Sequence, residues 1–139
     1  MTKTLLIPTD FTVKSLKLVR EIADNYANSS VRIILVHGLH LSSSISDLLF
    51  HSKRRVIDSL QTEAFKNSCA LILNKYSSTI ESFTIELFSG YNMASFENFI
   101  DGNGVDEVCI PVNYSLKLKD SRSFDLMPFL LKANAQIRE

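Results

Sequence analysis

Lys3-Thr4-Leu5-Leu6-Ile7-Pro8-Thr9-Asp10-Phe11-Thr12 opens the chain with a short apolar run that breaks at Pro8 and delivers an acidic side chain just beyond it. A helical pattern follows at once. Leu16, Val19, Ala23 and Tyr26 recur at helical spacing, and Lys14, Lys17, Glu21 and Asn25 fill the opposite face. Thr12 is placed to cap that helix through its side-chain oxygen. The wholly apolar run 5–7 predicts a central strand covered on both faces, so the chain begins with a strand feeding a helix. In open α/β sheets ligands bind beyond the carboxyl ends of the strands, and Asp10 stands where such a contact is expected.

The alternation continues outward from there. Residues 31–36 predict a second strand ending at His37-Gly38, then a polar loop containing Ser42-Ser43-Ser44. A long helical stretch follows, with Ile57, Leu60, Ala64, Leu71 and Ile72 as its buried stripe. Phe83, Ile85 and Leu87 alternate with Thr84 and Glu86, the pattern of a strand with one wetter face and hence of an edge position. Phe96, Phe99 and Ile100 form the inner side of a short third helix, which Gly102-Asn103-Gly104 closes as left-handed C-caps do. Residues 105–112 predict a fourth strand and 113–122 a polar loop. Asp125 and Pro128 mark the start of a last short helix, because proline is tolerated in a first turn. What remains allows a stub of a fifth strand. Strand and helix alternate as βαβαβαβα, and right-handed crossovers turn that order into one parallel sheet with helices on both faces, a single domain over 1–139.

Composition bounds the function classes. The 139 residues are 45% hydrophobic and 22% charged with zero formal net charge, so nothing in the overall balance points to a nucleic-acid or membrane surface, local patches aside. Cys69 falls in a helical pattern and Cys109 in an apolar strand run, where a thiol behaves as a small buried hydrophobe and reads as reduced. The opening segment is interrupted too soon by Pro8 and Asp10 to be a secretory core. No apolar run approaches the roughly 20 residues of a membrane span, so a cytoplasmic protein is expected.

Three stretches resemble the universal stress protein family, a flavodoxin-like or adenine-nucleotide-hydrolase-like three-layer α/β fold. The run 5–12 is similar to the family's opening strand and Asp turn, and Ile33-Ile34-Leu35-Val36-His37 to its second strand. The segment from Gly90 to Val105-Asp106-Glu107-Val108-Cys109-Ile110 is similar to the approach to strand four. The resemblance implies an open parallel sheet of order 3-2-1-4, with a fifth strand that is short or missing here. It also implies a homodimer, a form the family commonly takes along strand five. With Arg138 and Glu139 in so short a tail, exposed faces of the second helix or the edge strands are expected to serve instead. The departure from the family is equally informative. Nucleotide-binding members follow strand four with glycine-x2-glycine-x9-glycine-Ser/Thr, whose backbone N–H groups cradle phosphates. Here Pro111 occupies the first glycine position, and no glycine follows Gly104.

The resemblance places Thr9, Asp10, Val36 and His37 on the adenine side of a nucleotide pocket. The plainer reading is that Asp10 and Thr12 organise the strand-to-helix turn through side-chain-to-backbone bonds, and the missing glycine loop favours it. Lys117, Lys119 and Arg122, helped by Ser121 and Ser123, are the candidates for a side-chain replacement of the phosphate cradle. A polar loop with three cations is ordinarily just solvated. His37, His40 and His51 offer no ligand pair on one helix face, so no metal is expected. No nucleophile–base pair, Gly-x-Ser-x-Gly elbow or paired carboxylates are visible, so no catalytic residue is named. Two expectations follow. One is a regulatory or stress-response domain without cofactor or enzyme activity, acting through contacts with an unidentified protein partner. The other is an ATP- or AMP-binding member with a rebuilt phosphate loop and slow hydrolysis.

Overall fold

A computed structural model describes residues 2–26, 29–40, 54–112, 114–133 and 135–138. The expected Ser42-Ser43-Ser44 loop and His51 lie outside the described residues. Six strands and five helices are described: β1 Thr2–Pro8, α1 Lys17–Asn25 entered through a 3₁₀ turn at Val13–Leu16, β2 Ser30–Leu39, α2 over 54–60, α3 Glu63–Lys75, β3 Ile80–Phe88, α4 Met93–Gly102, β4 Glu107–Cys109, β5 Ser123–Phe124, α5 Met127–Leu130 and β6 Gln136–Arg138. The sheet order is β3-β2-β1-β4-β6, with every neighbouring pair on this path parallel. The expected order 3-2-1-4 holds, β3 takes the expected edge, and the fifth position is filled by the three-residue β6.

Strand alternation builds a core on each face of the sheet. Leu5, Ile7, Ile33, Leu35 and Cys109 face Val19, Ile22, Phe65 and Ile72 on α1 and α3. Leu6, Ile34, Val36 and Val108 face Phe96 and Ile100 on α4 and Leu130 on α5. Thr12 caps the first turn by accepting from the Ser15 N–H, and Gly104 ends the α4 region at φ +63°, both as expected.

Three expectations are corrected. The long second helix is two helices broken at Gln61-Thr62, where Thr62 caps α3 by accepting from the Phe65 N–H at 3.1 Å. That cap turns α3 so that Phe65, Cys69 and Ile72 point inward, while Ala64 and Leu71 are exposed, Leu71 by 64%. The fourth strand pairs only over Glu107–Cys109. Pro111 has no N–H to continue a ladder, and Val112 beyond it is 67% exposed. β2 runs past its expected end through His37 and Gly38 to Leu39, because β3 pairs it as far as Gly38 and β5 adds antiparallel to Gly38 and Leu39.

Candidate functional site

Asp10 sits where the first strand hands over to the first helix, and its carboxylate is fully engaged. Oδ1 accepts from the Thr12 N–H at 3.0 Å and from the Thr12 hydroxyl at 2.5 Å. Oδ2 accepts from the Tyr114 hydroxyl and, at 2.7 Å, from the Lys117 N–H. Asp10 is therefore the turn-former that the plainer reading expects, and also the anchor of a distant segment. Burial alone would raise its pKa, but the bonds from Thr12, Tyr114 and Lys117 outweigh that penalty and hold the carboxyl below its ordinary value. The Tyr114 hydroxyl is held above its ordinary value, first by burial and then by its bond to Asp10, which keeps it a donor.

The turn carries a second constraint. Phe11 is left-handed at φ +63°, a costly conformation for an aromatic residue. Its N–H donates to Thr9 Oγ1 at 3.1 Å, and its ring packs on His37 and Phe65 at centroid distances of 4.8 and 5.5 Å. The Thr9 hydroxyl lies 2.9 Å from that of the buried Ser15. The chain is thus fixed at Thr9, Asp10 and Phe11 together.

His37 is buried beside this turn. Its Nδ1 lies 2.9 Å from the Thr9 carbonyl oxygen, which can only accept, so Nδ1 carries the proton. Nε2 is left to accept from the Ser123 hydroxyl at 2.6 Å. Burial pushes the His37 pKa down, against the opposing pull of the Thr9 carbonyl, Asp10 and Asp120, so the ring stays neutral. The expected group of Thr9, Asp10, Val36 and His37 is brought together, for Pro8 pairs with Val36 and the Thr9 N–H donates to the Val36 carbonyl at 2.9 Å.

Residues 114–124 form a strap across these strand ends, tied to Asp10 at its start and to β2 at its finish. The finish consists of β5, the Ser123–His37 bond and the His40 N–H donating to the Arg122 carbonyl at 2.7 Å. Gly38 permits the approach, since a Cβ there would stand 2.8 Å from the Phe124 carbonyl oxygen. Arg122 does not point a free guanidinium at the crevice: Nε and Nη2 hold the Asp120 carboxylate at 3.0 and 2.9 Å, and Asp120 is drawn down to about 2 by that pairing. Lys117 contributes its backbone N–H to Asp10 while its residue is exposed, as is Lys119. Tyr114 and Ser15 were not among the expected site residues, and Ser123, expected beside a phosphate cradle, bonds His37 instead. A serine or tyrosine in a polar loop gives no sequence signal of what it will bond to across the fold. Among the described residues no group of three His, Cys, Asp or Glu side chains is placed to hold a metal.

The chain, with its sheet of order β3-β2-β1-β4-β6, matches solved structures over almost its full length. The chain is similar to a universal stress protein family protein from Burkholderia pseudomallei, at 10% identity and TM-score 0.53, over 98% of this chain and 93% of that one. The fold is that of the universal stress proteins. The universal stress protein from Archaeoglobus fulgidus aligns at 14% identity and TM-score 0.52, over 98% of this chain and 91% of its own. A universal stress protein family protein from Arabidopsis thaliana, solved with AMP bound, aligns at 12% identity and TM-score 0.53, over 99% and 92%. No protein-family model and no curated protein sequence matches the chain. The universal stress protein layout is thus found here at 10–14% sequence identity. No helix among the described residues is long and apolar enough to cross a membrane.

Proposed function

We propose that this chain is a divergent universal stress protein that has lost ATP binding and works as a cytoplasmic regulatory domain through protein contacts, as a homodimer and without enzyme activity. The observation that carries this reading is the occupancy of Asp10: both carboxylate oxygens are taken by the chain's own donors, two of them from the strap. A ribose hydroxyl approaching Asp10 would have to displace Tyr114 and the Lys117 N–H, and nothing it offers exceeds the bonds it would break. Two features of the following segment support the same conclusion. Pro111 supplies no N–H at the head of the loop, and no glycine after Gly104 opens the backbone to phosphates. Arg122 is committed to Asp120, which leaves Lys117 and Lys119 as the cations of the rebuilt-cradle alternative.

Calorimetric titration of the full chain with ATP and with AMP tests the reading. Flat isotherms are expected at ligand concentrations where even a Kd of about 1 mM would register. Micromolar binding that disappears in Asp10→Ala would overturn it in favour of the AMP-binding alternative. Sedimentation equilibrium at several concentrations tests the homodimer, and a monomer throughout would remove that part of the proposal.

A further inference from the structure

A cavity of about 300 Å³ lies between α1 and the chain leaving β4, bordering the Asp10 turn through Ser15 and Tyr114, in the size range of small-molecule sites. Its floor is the chain leaving β4, where Cys109 and Ile110 are buried and Pro111 and Val112 follow. Leu18 and Ile22 of α1 form the facing wall. Lys14 and Lys17 line it as well, on the first turns of the helix, whose amino end carries partial positive charge. Lys17 faces Glu21 at 3.9 Å, whereas no carboxylate lies within ion-pair range of Lys14 among the described residues. The cavity therefore combines an apolar interior with one cation that no carboxylate among the described residues pairs.

We infer that this cavity binds a small carboxylate with an apolar body, its head at Lys14 and its tail over Ile110 and Pro111 against Leu18 and Ile22. An apolar body gains by leaving water for this floor, and the head gains a charge-assisted bond at the rim. Glu21 also lines the cavity but faces Lys17, so a cationic ligand would meet two ammonium groups against one paired carboxylate. A polyphosphate would find a floor with no N–H at Pro111 and an apolar wall. The cavity adjoins the Asp10 turn at Tyr114, which lines it while its hydroxyl donates to Asp10. The inference does not depend on whether Asp10 can bind a nucleotide.

Octanoate is the probe, titrated into the full chain and followed by amide-resolved NMR. Saturable shifts are expected in 14–25, 109–112 and at Tyr114, with a Kd at or below about 1 mM. Leu18→Trp, which fills the cavity from a half-buried position, should abolish them. Lys14→Glu should weaken binding roughly fivefold or more, since it turns an attraction at the rim into a repulsion. Uncharged octanamide should bind more weakly than octanoate. Three results would each overturn the inference: no shifts at millimolar octanoate, shifts that persist unchanged in both variants, or octanamide binding as tightly as octanoate. Lys14→Glu changes an exposed residue, so it remains informative if Leu18→Trp fails to fold.

Discussion

Four donors converge on the Asp10 carboxylate, and two of them come from more than 100 positions away in the chain. Replacing Asp10 with Ala leaves the Tyr114 hydroxyl and the Lys117 N–H without their acceptor, so a loss of about 2–3 kcal/mol is expected, read as a lower urea midpoint. The pH dependence has a definite sign at two residues. His37 and Asp10 both have pKa values in the folded protein below their ordinary 6.5 and 3.8. Each therefore contributes stability that is complete above its ordinary value and is lost as pH falls through the folded one. Stability should decline in two steps on acidification, the first starting near pH 6.5 and removed by His37→Gln, the second below about pH 4 and reduced by Asp10→Asn, with Asp120 contributing to the remainder. Urea midpoints measured across pH check both steps; a flat profile in the wild type would refute the assignment. The role of Asp10 as a turn residue was legible in the sequence, because an Asp at a strand end bonds the backbone two residues on, here at Thr12. Its second role was not, because Tyr114 carries no mark of the partner that the fold supplies.

Among the elements, α3 shows where periodicity misleads. Leu71 and Ile72 are adjacent, so a helix cannot point both inward, and the Thr62 cap decides for Ile72. Phe65→Ala should cost about 3–5 kcal/mol, while Leu71→Ala should stay within about 0.5 kcal/mol; thermal or urea unfolding of the two variants checks the register. The strands were easier to read, since the alternation of Leu5, Leu6 and Ile7 between the two faces follows from the pleat alone. The far end of β2 was obscured because His37-Gly38 resembles a strand terminus, and only pairing with Phe124 reveals that Gly38 serves a close approach. Gly38→Ala, which sets a methyl 2.8 Å from the Phe124 carbonyl oxygen, should destabilise the protein by about 1–3 kcal/mol. Faster exchange of the strap amides in that variant would locate the damage.

At the scale of the whole molecule, the sheet order was legible because alternating elements and right-handed crossovers leave few topologies, and the resemblance selected one of them. The crossing of the strap was not legible, since it depends on side chains meeting across the finished fold. That long reach has a kinetic consequence. Tyr114 and Asp10 are 104 positions apart, and Ser123 and His37 are 86 apart. Closing such wide loops is entropically unfavourable until β1, β2 and β4 already stand side by side. The strap is then the last piece to dock and the first to leave. Tyr114→Phe should accelerate unfolding by roughly tenfold and leave the refolding rate almost unchanged, a partition that stopped-flow chevrons measure directly. The crevice that the strap covers would then be exposed briefly and often, at a rate set by Tyr114 rather than by the core.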